Sequence, residues 1–264
     1  LFMHDMWYIT GGCHHSFACE KYRSKCYDCQ VFSVNKNNDI SARGFKKKVK
    51  LYSRFNNFYF ISPSKWLKEC AEASSLTKMK QTWLIPNFID RNIFKPIDKK
   101  AARMLLGIDN ESLVISFGAV SIDSPYKGWQ YLRDAFGILR KNFSDDAINI
   151  LIFGKCNISE MRKMIPFKSV FTGFIKDEYS AAIVYNASDV FVTPSLADNL
   201  PTTVLESLSC GTPVVGFRTG GIPDMIEHKV NGYLAEYRNT EDLAEGVKYC
   251  LKYKISGKIS DKFE

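Results

Sequence analysis

The carboxylates of Asp198 and Glu206 flank the predicted start of a helix at Pro201. The apolar run at residues 190–193 predicts a strand, so the polar loop after it lies at the carboxyl edge of a sheet, where α/β proteins bind ligands. The first N–H groups of such a helix bind phosphate, and here they belong to Thr202, Thr203 and Val204. Carboxylates accept hydrogen bonds from vicinal hydroxyl groups, so the pattern indicates a sugar or ribose beside a phosphate. The alternative is that Asp198 only caps the helix and Glu206 lies on a solvated face.

A second candidate site is a dense cluster of thiols formed by Cys13, Cys19, Cys26 and Cys29. Their spacing is Cys-x5-Cys-x6-Cys-x2-Cys, and four soft ligands this close together could form a structural zinc site that pins a loop-rich segment. Free thiols are the alternative, and disulfides are a third interpretation that a cytosolic location disfavours. The remaining cysteines occur singly in periodic segments, as buried free thiols do: Cys70, Cys156, Cys210 and Cys250.

Regular elements must position these groups, and from about residue 112 short β-branched runs alternate with amphipathic stretches. This alternation predicts an α/β fold with a parallel, doubly wound sheet. The predicted strands are residues 113–117, 148–153, 190–193 and 213–216, with weaker ones near 170–171 and 232–234. The predicted helices are residues 129–141, 177–186, 201–209, 223–227 and 240–251.

The first 95 residues are less regular. Strands are predicted at residues 1–4, 57–61 and 82–85, and helices at residues 44–56 and 64–73. These strands are too few for a complete α/β domain and the chain begins without Met, so we expect an N-terminally truncated fragment. Pro and turn-forming residues at 85–90 predict a boundary between a partial domain at residues 1–90 and a second domain at residues 91–264.

The net charge of +8 belongs to the first part of the chain. Residues 1–100 contain 18 Lys and Arg against 8 Asp and Glu, whereas residues 101–264 contain 18 against 20, which favours an anionic partner for the first part. The predicted helix at residues 44–56 carries Lys46, Lys47, Lys50 and Arg54. It could lie on an anionic membrane surface, or pack on its own sheet with a solvated basic face. The sequence contains no recognisable nucleic-acid-binding module, so we expect no nucleic-acid partner.

Several motifs occur in the order and at the distances typical of one enzyme family. Asp198-x7-Glu206 is followed by Ser-Leu-Ser-Cys-Gly-Thr-Pro-Val-Val at residues 207–215. The other matches are Ile85-Pro86-Asn87-Phe88-Ile89-Asp90 with Phe94, Phe117-Gly118, Lys127-Gly128, Phe171-Thr172-Gly173, Ala187-Ser188-Asp189-Val190, Gly220-Gly221-Ile222 and Asn231-Gly232. On these residues, the sequence resembles the retaining glycosyltransferase family 4 of GT-B architecture, of the polysaccharide-biosynthesis type.

The resemblance implies two Rossmann-like domains whose parallel sheets face a cleft, with the N-terminal domain incomplete here. It assigns the nucleotide ribose to Glu206 and the donor sugar to Asp198, where the family has Glu. It assigns the diphosphate to Lys127 and a sugar hydroxyl near the reacting centre to His4. The family Arg directly after Gly118 is Ala119 here, so a second cation for the diphosphate would come from elsewhere, such as Arg218 or Lys155.

The resemblance therefore implies a retaining hexosyltransferase, which moves a sugar from a nucleotide-diphosphate sugar to a glycan or lipid-linked glycan acceptor. The expected catalytic residues are His4, Lys127, Asp198 and Glu206. The expected donor-binding residues are Gly118, Lys127, Asn199, Leu200, Thr202, Thr203, Val204 and Glu206.

The family requires no catalytic metal or cofactor, so zinc at the cysteine cluster would be structural. We expect a cytoplasmic protein, which would bind peripherally to the inner face of the plasma membrane if the basic helix lies on lipid. A noncatalytic sugar-nucleotide-binding or scaffold protein is the alternative, which Ala119, Asp198 and the missing N-terminal strands favour.

Overall fold

The computed structural model describes residues 1–29, 31, 39–55, 57–260 and 263. The chain forms two compact units. The first unit consists of Leu1–Asn87 together with Ala197–Leu200, and the second of Phe88–Leu196 together with Pro201–Glu264. The sequence predicts a boundary after residue 90, and it does not predict that Ala197–Leu200 belongs to the first unit.

The described residues of the first unit form two α-helices and a two-stranded parallel sheet. Its elements are α1 (Ile40–Arg54), β1 (Phe60–Ser62), α2 (Lys65–Ala73) and β2 (Thr82–Leu84). The Asp39 side chain caps α1 by accepting a hydrogen bond from the Ala42 N–H, and Ser64 caps α2 in the same way. Asn56, the predicted last residue of the first helix, lies outside the described residues.

The predicted strand at residues 1–4 is wrong. These residues form only an isolated parallel bridge of Phe2 with Ile61, in which the Ile61 N–H donates to the Leu1 carbonyl and the Met3 N–H donates to the Ile61 carbonyl, each at 2.8 Å. The Asp5 carboxylate then accepts a hydrogen bond from the Trp7 N–H at 2.7 Å and starts a 3-10 turn at Met6–Ile9. This capped turn takes the chain away from the sheet before a strand can form.

The second unit is built on a six-stranded sheet in which all neighbouring strands are parallel. Its strands are β3 (Leu113–Ser121), β4 (Ile148–Lys155), β5 (Lys168–Gly173), β6 (Val190–Thr193), β7 (Val214–Phe217) and β8 (Gly232–Ala235). Its helices are α3 (Lys99–Leu105), α4 (Trp129–Leu139), α5 (Ile158–Lys163), α6 (Glu178–Ala187), α7 (Thr202–Ser209) and α8 (Thr240–Tyr253). The order across the sheet is β5-β4-β3-β6-β7-β8, which confirms the predicted α/β class with a parallel sheet.

Apolar side chains on both faces of this sheet are buried. On one face, Ile150 and Val192 pack in a core cluster with Phe136 of α4 and Val247 of α8. On the other face, the rings of Phe153 and Phe191 contact Tyr185 of α6. Burial on both faces explains why the central strands are continuous apolar runs in the sequence.

The predicted helix at residues 223–227 is also wrong. The chain forms only a 3-10 turn at Ile222–Asp224. The Glu227 N–H donates to the Asn231 side chain at 2.8 Å, so it is not available to extend a helix. The sequence prediction also omitted α3 and α5, which are only seven and six residues long.

Candidate active site

A cavity of about 280 Å³ lies at the carboxyl edge of the six-stranded sheet, within the second unit. The ends of β3 and β4, the segment after β5, and helices α6 and α7 form its walls. Aromatic and aliphatic groups make up much of the lining, and three carboxylates, two hydroxyl groups and one ammonium group interrupt it. These residues include Phe94, Ala119, Phe153, Phe174, Tyr185, Thr203 and Glu206. Open α/β sheets bind ligands at this edge.

Glu206 lies in the second turn of α7 and lines the cavity. Its Oε2 accepts a hydrogen bond from the Tyr185 hydroxyl at 2.8 Å, and the carboxyl group also bonds to the Thr202 side chain. Burial raises the pKa of Glu206 above its ordinary value, and the negative charge of Glu178 raises it further. The two hydrogen bonds act in the opposite direction. Glu206 is therefore part of a cavity wall, not of a solvated face.

The N-terminus of α7 offers fewer donors than the sequence predicts. Pro201 precedes the helix and has no N–H. The Val204 N–H donates to the Pro201 carbonyl at 3.1 Å, so it is already paired and leaves the N–H groups of Thr202 and Thr203 as the predicted donors. Thr203 lines the cavity, which places the start of α7 beside it. The positive end of the helix dipole favours an anion here.

Lys127 lies in a turn at the same edge of the sheet. It ends a 3-10 turn at Pro125–Lys127, and Gly128 follows with a left-handed φ of 70°. A Cβ at Gly128 would lie 1.9 Å from the Pro194 carbonyl oxygen, so only glycine fits against the loop after β6. Lys127 itself is half-buried and is not among the residues that line the cavity.

Gly118 lies inside β3 and not in the loop after it. A Cβ at this position would lie 2.2 Å from the ring of Phe153. The glycine therefore makes room for an aromatic ring that lines the cavity.

A family model described as glycosyl transferases group 1 matches residues 111–253, more than half of the chain. The chain belongs to this family. An uncharacterized glycosyltransferase of Haemophilus influenzae is 27% identical to it over 188 residues, covering 69% of this chain and 52% of that protein. Sulfoquinovosyl transferase SQD2 of Arabidopsis thaliana is 30% identical over 209 residues, covering 76% of this chain and 39% of that protein. The chain thus spans about half the length or less of these curated relatives.

Solved structures of glycosyltransferases share the fold. Sucrose-phosphate synthase from Thermosynechococcus elongatus matches with a TM-score of 0.69 and 20% identity, over 91% of this chain and 58% of that one. Anabaena Alr3699/HepE in complex with UDP and glucose matches with a TM-score of 0.67 and 23% identity, over 84% of this chain and 61% of that one. These similarities show an α/β fold with parallel sheets, like that of GT-B glycosyltransferases.

The group 1 glycosyltransferase chain described here has Ala119 in the cavity wall, where the resemblance implies Arg. Of the two cations suggested as replacements, the Lys155 Nζ lies 5.2 Å from the centroid of the Phe174 ring, another part of that wall. Arg218 lies 3.6 Å from the Glu236 carboxylate. Lys155 is therefore the better placed of the two beside this cavity.

Predicted site residues of the first unit are joined by the side-chain amide of Asn199. It donates to the His4 carbonyl oxygen at 3.0 Å and accepts from the Ser64 hydroxyl at 2.5 Å. The Leu200 carbonyl accepts from the Asn87 side chain at 3.4 Å. The backbone of His4 is thus bonded to the loop that carries Asp198, and Asn199 has an internal structural role. The imidazole of His4 is exposed, and its ring lies 5.0 Å from that of Phe2.

The four clustered cysteines are free thiols and lie near one another. Burial raises the pKa of Cys26 to about 11; the hydrogen bond from the Gly11 N–H lowers this pKa, and charge on Cys13, Cys19 and Cys29 raises it. The Cys26 sulfur accepts a hydrogen bond from the Gly11 N–H at 3.2 Å. In this arrangement, no three His, Cys, Asp or Glu side chains of the described residues are placed to hold one metal ion.

Helix α1 turns a mixed basic and apolar face to solvent. The predicted cations are exposed: Lys46, Lys47, Lys50 and Arg54. Val49 and Leu51 are also exposed. Lys48 instead points into the first unit, where its Nζ donates to the carbonyls of Trp7 and Thr10. Within the described part of the chain, no helix has the length and apolarity needed to cross a membrane.

Tyr185 and the segment from Phe174 to Glu178 line the cavity without having been predicted from the sequence. The segment directly follows the motif Phe171-Thr172-Gly173 at the end of β5. Its position after a predicted strand could therefore have indicated that it lies at the ligand-binding edge of the sheet. Tyr185 had no such signal, because its contact with Glu206 depends on how α6 and α7 pack.

Proposed function

We propose that this protein transfers a sugar from a nucleoside diphosphate sugar to a hydroxyl of a glycan or lipid-linked glycan acceptor, with retention of configuration. The observation that carries the proposal is a buried carboxylate, Glu206, in a largely apolar cavity at the carboxyl edge of the sheet of a group 1 glycosyltransferase. Family membership supplies the reaction class, and the cavity supplies a place for the nucleoside.

The cavity has the chemistry that a nucleoside needs. The walls of Phe94, Phe153 and Phe174 suit the faces of a planar base. Glu206 accepts hydrogen bonds from the two ribose hydroxyls, as the family resemblance implies. Because Alr3699/HepE, a protein with the same fold, was solved with UDP-glucose, uridine diphosphate sugars are the first donors to test.

In this proposal, cations and N–H groups bind the diphosphate. The start of α7 at Thr202 and Thr203 provides backbone N–H groups at the positive end of a helix dipole. Lys127 provides a mobile point charge, which matters most as negative charge develops on the leaving group. Lys155 is the candidate for the charge that Ala119 does not supply. No metal is needed for this neutralisation.

The proposed transfer follows the family's front-face displacement. The acceptor oxygen forms a bond to the anomeric carbon on the face from which the phosphate leaves, and the acceptor proton passes to a phosphate oxygen. Asp198 and His4 would contact hydroxyl groups of the donor sugar, as the resemblance implies. Asp is one methylene shorter than the family Glu, which makes its contact with the sugar a feature to test.

We also propose that the exposed face of α1 binds anionic lipid on the inner face of the plasma membrane, where a lipid-linked acceptor is found. Four exposed cations lie along this face, and Val49 and Leu51, which are also exposed, lie at its two edges. Basic residues attract acidic headgroups, and the aliphatic groups enter the interface.

Calorimetric titration with UDP-glucose and related donors tests the proposal. We expect Glu206→Ala to weaken donor binding by about 1–3 kcal/mol, the range for hydrogen bonds to a charged acceptor. Glu245→Ala, a change of the same type at a surface glutamate paired with Lys248, should bind donor as the unchanged protein does. Equal donor affinity in both variants would overturn the assignment of Glu206. Donor binding without transfer to any acceptor would support a noncatalytic sugar-nucleotide-binding protein instead.

A further inference from the structure

Tyr185 is a buried residue that no motif assigns to the site. Its side chain is 0% exposed, yet the residue contributes to the wall of the cavity beside Glu206. The phenolic hydroxyl donates to Glu206 Oε2 at 2.8 Å, so it joins α6 to α7 at the carboxylate proposed to bind ribose.

The ring of Tyr185 is held from several sides. It packs edge-on against Phe153 at 5.7 Å and Phe191 at 5.4 Å, measured between ring centroids. The Tyr185 carbonyl accepts a hydrogen bond from the Thr212 hydroxyl at 2.7 Å. A ring fixed in this way holds its hydroxyl at one place, so the donor that meets Glu206 is preorganised.

We infer that Tyr185 is a positioning residue that binds one oxygen of the Glu206 carboxylate and so orients this group to accept the two ribose hydroxyls of the donor. The inference rests on the proposed function. Phe at position 185 would keep the aromatic packing and remove only the bond, so the carboxylate would be less ordered and less stable as an anion.

Because charged groups surround Glu206, the inference predicts how donor affinity depends on pH. Burial and the charge of Glu178 on α6 raise the pKa of Glu206, whereas Tyr185 and Thr202 lower it. Lys176 and Asp177 also line the cavity. Cys210 directly follows α7, and burial and the charge of Glu206 raise its pKa to about 12, so it stays neutral. A protonated Glu206 is a poorer acceptor, and donor affinity must therefore fall as pH falls through its pKa. Loss of the Tyr185 bond raises that pKa and moves the fall to higher pH.

The test is donor binding by calorimetry between pH 4.5 and pH 8, with UDP-glucose or the donor found to bind best. We expect Tyr185→Phe to weaken binding about tenfold near neutral pH, the effect of one hydrogen bond to a charged group, and to move the acid limb of the affinity profile to higher pH. Tyr233→Phe is a matched control. The Tyr233 hydroxyl also donates to a carboxylate at 2.8 Å, that of Asp242, in the same unit but not in the cavity wall.

The outcomes separate this inference from the proposed function. If Glu206→Ala weakens donor binding and Tyr185→Phe leaves affinity and pH profile unchanged, the inference is overturned and the proposed function stands. A loss in Tyr185→Phe that is the same at every pH would indicate packing alone and would also overturn it. If Tyr185→Phe lowers the melting temperature markedly, the double variant Tyr185→Phe, Glu206→Gln decides. The two changes must then be less than additive in binding, and additivity would reject the coupling.

Discussion

The two units of this chain place polar groups by different means. In the second unit, cavity residues follow the ends of β3, β4 and β5, so the sheet itself determines where they lie. In the first unit, loops are held by single hydrogen bonds from side chains to the backbone, such as the bond from Ser74 to the Ile9 carbonyl at 2.8 Å. In a site built on strand ends, the packing of the hydrophobic core determines where the site residues lie. A site built on loops depends on each polar contact or on an additional crosslink.

Zinc would supply such a crosslink, and its removal gives the largest expected effect. Zinc–thiolate binding contributes on the order of 10 kcal/mol in small zinc domains. The four clustered thiols neighbour one another, and the ammonium of Lys48 lies close enough to Cys13 and Cys26 that their charge raises its pKa. In the described part of the chain no three of these thiols are placed to hold one metal ion, so zinc binding would require the thiols to move.

The zinc and free-thiol interpretations differ in elemental analysis: a zinc site requires one zinc per chain, lost together with much thermal stability in Cys26→Ser and Cys29→Ser. Cys70→Ser, at a buried thiol of the same unit outside the cluster, should retain the metal. Metal-free protein with unchanged stability after strong chelation would leave the free-thiol interpretation.

A prediction of the second largest effect concerns Arg103 in the other unit. This side chain is 5% exposed and donates to the carbonyls of Ala187, Asn110 and Ser112, and to Asp189 at 2.6 Å. We expect Arg103→Leu to lower the free energy of unfolding by about 3–5 kcal/mol, because a partly buried carboxylate loses its main partner. Chemical denaturation measures this, with Arg133→Leu at an exposed ion pair as the control. If both variants lost a similar, small amount of the free energy of unfolding, the sheet would not depend on the hydrogen bonds of Arg103.

The same contrast explains what the sequence could predict. Central strands such as β4 are apolar along their whole length, so a run of hydrophobic residues is enough to find them. Helix α3 was missed because it is short, and its N-terminus depends on one cap, the Asp98 side chain. The strand predicted at residues 1–4 failed because Asp5 starts a turn, a local preference that overrides an apolar pattern.

Within the site, the sequence predicted Glu206 but not Tyr185. Glu206 belongs to a linear motif, whereas the bond to Tyr185 joins positions that lie 21 residues apart on two different helices. Which residues of two helices meet depends on their rotation and crossing, and a single sequence does not contain that information in a local pattern. The same holds for Asn199, whose bond to His4 spans 195 residues.

The basic face of α1 gives the next prediction. Replacing Lys46, Lys47 and Lys50 by Gln should weaken binding to vesicles that contain phosphatidylserine by about 3 kcal/mol, since each cation near an acidic surface contributes about 1 kcal/mol. Co-sedimentation at two salt concentrations measures this. Replacement of Lys163, Lys252 and Lys254, which are exposed in the second unit, is the control for net charge. Equal loss in both variants would indicate unspecific attraction, and no binding by the parent protein would reject the surface.

Lys127 allows a comparison of binding and chemistry in the second unit. We expect Lys127→Ala to lower turnover about 100-fold and donor affinity much less, because charge on the leaving phosphate grows towards the transition state. Steady-state kinetics and donor calorimetry on the same variant measure both quantities. Lys127→Arg should restore part of the rate. If turnover and affinity fell by the same factor, Lys127 would bind the ground state only.

The smallest expected effect is a pH dependence at Lys48, which fixes a loop of the first unit. Its side chain is 7% exposed, and burial lowers its pKa from 10.5 to about 8. Between these values the unfolded chain binds more protons than the folded one, so the contribution of Lys48 to the free energy of unfolding rises with pH, by about 1 kcal/mol from pH 8 to pH 9. Buried thiols such as Cys26 act in the opposite direction, because their pKa is raised. The measurement must therefore be the difference between the protein and Lys48→Met at each pH, followed by hydrogen exchange of the α1 amides. A difference that stays constant from pH 7 to pH 9.5 would show that Lys48 titrates like an exposed lysine.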